Sequence, residues 1–75
     1  MGRTMKIRLQ SIDKVKDFVN STSSIEGNVM ISSGKYTIDA KSILAIFSID
    51  ITKPLILHIE KWKDKYAMML EPYLL

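Results

Sequence analysis

Gly34-Lys35-Tyr36-Thr37-Ile38-Asp39-Ala40-Lys41-Ser42-Ile43-Leu44-Ala45-Ile46-Phe47-Ser48-Ile49 is the stretch on which the fold turns. Tyr36 to Asp39 has the β-branched and aromatic content of a short strand. Asp39-Ala40-Lys41-Ser42 then leads into an apolar run, with Ser42 placed as an N-cap whose hydroxyl would accept a first-turn N–H. The run reads as a short helix, although an apolar stretch of this length has no decisive period and would also fit a buried strand. One or two helical turns cannot bury side chains in every direction. Part of Ile43, Leu44, Ile46 and Phe47 therefore stays at the surface, as a candidate contact patch.

Upstream, Asn28 to Ile31 is a second strand candidate, and Ser32-Ser33-Gly34-Lys35 joins it to Tyr36 as a hairpin in which Gly34 takes a positive φ. Before that, Asn20-Ser21-Thr22-Ser23-Ser24 reads as a helix-ending loop, because these side chains compete for backbone hydrogen bonds. The helix that it ends begins near Lys14, capped by Ser11 or Asp13, with Val15, Phe18 and Val19 as its core stripe. From Met5 to Ile12 apolar and polar residues alternate, the pattern of a half-buried first strand.

Downstream, Pro54 opens a strand from Leu55 to Glu60, with Leu55, Leu57 and Ile59 on one face and Ile56, His58 and Glu60 on the other. Lys61 to Glu71 has helical spacing, directing Trp62, Tyr66, Met69 and Leu70 inward. Pro72 disfavours helix at Glu71, which leaves Tyr73-Leu74-Leu75 as a short apolar tail. The predicted order is β-α-β-β-α-β-α. It describes one α+β domain over residues 1–75, a four-stranded antiparallel sheet with three helices on one face. Leu9, Val15, Phe18, Val19, Leu57 and Ile59 are its expected core.

Composition narrows the function. With 75 residues there is room for one core, and 47% apolar with 25% charged residues is an ordinary globular balance. No cysteine and a single histidine argue against a disulfide framework, a structural metal site or a metal cofactor. The segment from Met1 to Leu9 lacks the apolar run of a signal peptide, and no stretch reaches transmembrane length, so a cytoplasmic location is expected. The net charge of +3 is spread among interleaved acids, which reads as a solvated surface and not as a nucleic-acid patch.

The segment from Gly34 to Ile49 resembles the centre of HPr, the bacterial histidine-containing phosphocarrier protein, in which a Gly-Lys strand leads to a Lys-Ser-Ile step and an apolar helix. Asp50-Ile51-Thr52-Lys53-Pro54 and the strand after it resemble that family's return to the sheet. The resemblance implies the open-faced two-layer sandwich and a cytoplasmic role with proteins of the phosphoenolpyruvate:sugar phosphotransferase system. It also implies that Ser42 is a regulatory phosphorylation position and that Ile43, Leu44 and Phe47 are contacts for regulatory partners; Lys41 and Lys35 would partly offset the charge of a phosphate at Ser42.

The departure from the family lies at the first strand–helix junction. Family members carry a His-Ala-Arg-Pro motif there, and its histidine accepts phosphoryl from Enzyme I. Here the junction reads Gln10-Ser11-Ile12-Asp13-Lys14. A serine at Ser11 cannot form the labile phosphoramidate, and Asp13 repels an incoming phosphate. The expectation is a non-enzymatic interaction module without a cofactor. Two alternatives stand beside it. One is a carrier using His58 or Ser11 as a non-standard acceptor; the other is a ferredoxin-like binder of nucleic acid or a ligand, since that fold shares most of the element order. His58, on the strand face opposite Leu57, reads first as a solvent-face residue.

Overall fold

The computed structural model describes residues 1–75 as an α+β domain with one open, fully antiparallel sheet. The elements are β1 (Arg3–Ile7), α1 (Ile12–Thr22), β2 (Val29–Ser33), β3 (Tyr36–Asp39), α2 (Ile43–Ile46), β4 (Leu55–Ile59) and α3 (Tyr66–Leu70), followed by a 3-10 turn at Glu71–Tyr73. The strand order is β1-β4-β2-β3. Met5, Leu57, Ile31 and Ile38 stand side by side across it, so one row of alternating residues faces the helices. Ile7, Val29, Ile31, Leu55, Leu57 and Ile59 are buried on that face. Val15, Phe18, Ile46, Tyr66 and Leu70 meet them from the helical layer.

Leu9, Val15, Phe18, Leu57 and Ile59 are buried as expected, whereas Val19 is only half-buried at the edge of the core. β1 ends at Ile7, short of the expected Ile12, yet Leu9 still enters the core from the connecting loop. α1 ends within the serine-rich run as expected, at Thr22 with Ser23 as its C-cap, so that Ser21 and Thr22 belong to the helix and only Ser23 and Ser24 to the turn. Thr22 and Ser23 donate their hydroxyls to the carbonyls of Val19 and Asn20, at 3.3 and 2.7 Å, and Ser24 donates to Ser21 at 2.9 Å. Back-bonded in this way, the hydroxyls stay within the helical path, and Thr22 is fully buried with a further contact to the Ala40 carbonyl.

The C-terminal third differs more. The stretch from Lys61 to Lys65 is not helical, because the Trp62 N–H donates to the Met1 carbonyl at 2.8 Å and the Arg3 guanidinium lies 4.6 Å above the indole ring. Those contacts hold Trp62 beside β1 and leave it, like Met69, half-buried, while Tyr66 and Leu70 are buried. Pro72 sits in the first turn of the 3-10 segment, where its missing N–H costs nothing. Tyr73 is therefore a core residue and not part of a loose tail. Its ring packs edge-on to Phe18 at 5.2 Å.

Candidate functional site

Ser11 caps α1, with extended backbone geometry and its Oγ accepting the Lys14 N–H at 3.1 Å. Gln10, just before it, has φ +65°, a conformation that side chains other than glycine rarely adopt. Two hydrogen bonds hold it there: Ser11 N–H donates back to the Leu9 carbonyl at 2.8 Å, and Gln10 N–H donates to the Ile51 carbonyl at 3.0 Å. The latter bond ties the β1–α1 junction to the loop after α2. Nothing in the sequence pattern signals this turn, since glutamine is not a residue that favours positive φ.

That loop is itself braced. The Asp50 carboxylate accepts the Thr52 N–H at 3.0 Å and the Thr52 hydroxyl as well, and these bonds hold its pKa below the ordinary carboxylate value. Asp13 lies in the first turn of α1, and Ile12 is 60% exposed at its start. The junction thus presents a serine hydroxyl, an acid and an apolar side chain to solvent, with Lys14 half-buried behind them.

Ser42 caps α2 as its position implied. Its Oγ accepts the Ala45 N–H at 3.2 Å, and its own O–H is left over to donate. α2 is only four residues long and buries Ile46 fully. Leu44 is 81% exposed and Phe47 43% exposed, while Ile43 is half-buried against the core. The exposed apolar surface at α2 accordingly consists of Leu44 and Phe47, whereas Ile43 packs against the core. Lys41 does not flank Ser42 as a free cation. Its Nζ donates to the carbonyls of Ile25 and Gly27 at 2.6 and 3.0 Å, closing the loop between α1 and β2.

His58 stands on the uncovered face of the sheet, between Thr4 and Met30 on the neighbouring strands. Its Nε2 is 2.9 Å from Ser32 Oγ, which in turn is 3.3 Å from Thr37 Oγ1. The nearby Glu60 carboxylate is engaged by the Asn28 amide at 3.3 Å. A shallow cavity of about 510 Å³ opens here, lined by Thr4, Met30, His58 and Glu60 among others. The sheet separates this imidazole from Ser11 and Ser42, so the three sequence candidates do not converge on one centre. No helix is long and apolar enough to cross a membrane. The chain matches no protein-family model and no curated protein.

Proposed function

We propose that the chain is a bacterial, cytoplasmic HPr-like module that binds proteins of the phosphotransferase system, or their regulators, without carrying phosphoryl groups. The observation that bears the reading is the pair Leu44 and Phe47, held at the surface by a helix too short to turn them inward. Large apolar side chains fixed side by side next to polar groups are the usual core of a protein contact. The strand order β1-β4-β2-β3, with β1 at an edge and β4 inside, supports the HPr-like arrangement over a split βαβ domain, in which β1 lies inside the sheet between β3 and β4.

The absence of carrier chemistry follows from the junction. Ser11 already accepts a capping bond, no base stands beside it among its hydrogen-bond partners, and Asp13 adds negative charge where a phosphate would approach. Ser42 is the regulatory position in this reading. A phosphate there would set nearly two negative charges beside Leu44 and penalise a partner that must desolvate them.

The test has two arms. Incubation with phosphoenolpyruvate and Enzyme I, read by intact mass, gives no phosphoryl gain, and an acid-labile gain abolished in His58→Ala would overturn the reading. Binding of a candidate phosphotransferase-system partner falls about tenfold or more in Leu44→Ser and Phe47→Ser. It also falls in the Ser42-phosphorylated form but not in Ser42→Ala. Equal binding by wild type and both patch variants would dismiss the patch.

A further inference from the structure

The two edges of the sheet differ: the C-terminal segment covers one and no strand covers the other. Backbone groups at the β1 edge are taken up by the C-terminal segment: Arg8 N–H donates to the Tyr73 carbonyl at 2.8 Å and Leu75 N–H to the Lys6 carbonyl at 3.1 Å. No strand lies outside β3. In the β2–β3 ladder the Ala40 N–H donates to the Val29 carbonyl at 2.9 Å, so by antiparallel alternation Ile38 and Tyr36 also point their backbone groups at β2. Thr37 and Asp39 point theirs outward, and so does the carbonyl of the turn residue Lys35, since the Tyr36 N–H of the same peptide faces β2. An edge of this kind is a template for another strand.

We propose that β3 pairs antiparallel with β3 of a second copy, about a two-fold axis at Thr37, joining the two sheets into one. Only registers that oppose outward-facing residues can form hydrogen bonds. Among them, the one centred on Thr37 sets Thr37 against Thr37 once, and Tyr36 against Ile38 and Lys35 against Asp39 twice each. These are a hydroxyl pair, two aromatic–β-branched pairs and two opposite-charge pairs, the combinations that favour adjacent strands. Shifting each strand so that Thr37 opposes Asp39 would bring Lys35 against Lys41 and lose the charge match.

Thr37 N–H and carbonyl would bond reciprocally, and each Asp39 N–H would donate to the other copy's Lys35 carbonyl. The Asp39 carbonyl is already engaged by Ser42 N–H at 3.2 Å. Tyr36, 70% exposed in the single chain, gains Ile38 of the second copy as a neighbour. On the uncovered face the two Thr37 side chains would join the Ser32–His58 chains of both copies. Two four-residue strands bury less than a standard interface of about 1,600 Å², so the pairing is concentration-dependent and reversible.

Sedimentation of the full chain from about 10 μM to about 1 mM tests this, with amide exchange recorded at the same concentrations. Wild type shifts from monomer to dimer, and the Thr37 and Asp39 amides gain protection only in the dimer. Thr37→Pro removes an outward N–H that no intrachain bond uses, together with the exposed hydroxyl contact to Ser32, so it stays folded with at most a small drop in melting temperature and stays monomeric. Lys35→Glu, at an exposed turn, weakens the dimer about fivefold or more at low salt, and the deficit shrinks as salt is added. A wild type monomeric throughout, or a dimer without protection at Thr37 and Asp39, would overturn the proposal. So would a dimer that survives in a folded Thr37→Pro but is lost in Leu44→Ser, which would assign the contact to α2.

Discussion

The β1 side of the molecule is closed by its own chain, and the β3 side is not. Around β1, Met1 receives Trp62, Arg8 and Lys6 hold the C-terminal residues, and Gln10 binds Ile51. Around β3, the strand is four residues long, Tyr36 is exposed, and the neighbouring helix α2 leaves Leu44 and Phe47 in solvent. The segment from Tyr73 to Leu75 covers the β1 edge, and no strand lies outside β3. The long-range packing is concentrated on the closed side, and the proposed contacts lie on the open one. Substitutions on the closed side should unfold the domain, whereas those on the open side should change what it binds.

The largest expected effect breaks the closed side at Tyr73. Tyr73→Ala removes a buried ring that packs on Phe18 and should cost about 3–5 kcal/mol. That is a large share of the roughly 4–11 kcal/mol available to a domain of this size. Tyr36→Ala, the same change on the open side, should alter stability by no more than about 0.5 kcal/mol when measured at low protein concentration. Urea denaturation of both variants decides the matter, and equal losses would erase the distinction between the two sides.

The open side was the more legible in the sequence. The hairpin at Gly34, the cap at Ser42 and the exposure of part of the Ile43 to Phe47 run follow from local rules, because short-range turn chemistry and helix length determine them, although those rules do not say that Leu44 and Phe47 are exposed while Ile43 packs inward. The closed side was not, because long-range contacts set it. The helical spacing from Lys61 is overruled by a hydrogen bond to Met1 and by Arg3 on the Trp62 ring, partners some sixty residues away in the chain. Pro72 looked like a terminator, but its place in a 3-10 turn lets Tyr73 reach the core. The serine-rich run ends the helix as local rules require, but two residues later than its start, because Ser21 and Thr22 remain helical with the Thr22 hydroxyl bonded to the Val19 carbonyl one turn back. Of the candidate site, the sequence indicated the two caps, but not that Lys41 is engaged by Ile25 and Gly27.

A second prediction concerns the junction at the end of β1. Gln10 at φ +65° tolerates glycine, which has no Cβ to strain, but a β-branched residue does not fit that backbone. Gln10→Val should destabilise by about 1–2 kcal/mol and Gln10→Gly by less than about 0.5 kcal/mol. If thermal melting ranks them the other way, the left-handed turn is not what holds the junction. Third and smaller, Arg3→Ala removes the cation over Trp62 and should cost about 0.5–1 kcal/mol, with a matching change in tryptophan fluorescence.

The smallest expected effect tests whether the bracing of the α2–β4 loop reaches the closed side through Ile51. Asp50 is fully exposed, and its carboxylate is stabilised first by the Thr52 hydroxyl and then by the Thr52 N–H, with Lys53 adding a lesser attraction against slight desolvation. Its folded pKa is thus lowered, so the contribution to stability is complete above the unfolded carboxylate pKa, near 3.9, and disappears as pH falls through the lower folded value. In Asp50→Asn the amide oxygen can still accept from Thr52 but carries no charge that titrates. The stability difference between wild type and Asp50→Asn should therefore be flat from neutral pH down to about pH 5 and shrink below about pH 4. Thr52→Val should reduce the same acid-sensitive difference, since it removes the hydroxyl and keeps the N–H. If the loop braces the junction, amide exchange at Gln10, whose N–H donates to Ile51, should quicken in both variants. Unchanged exchange there would confine the Asp50–Thr52 pair to its own loop and leave β1 held by the C-terminal segment alone.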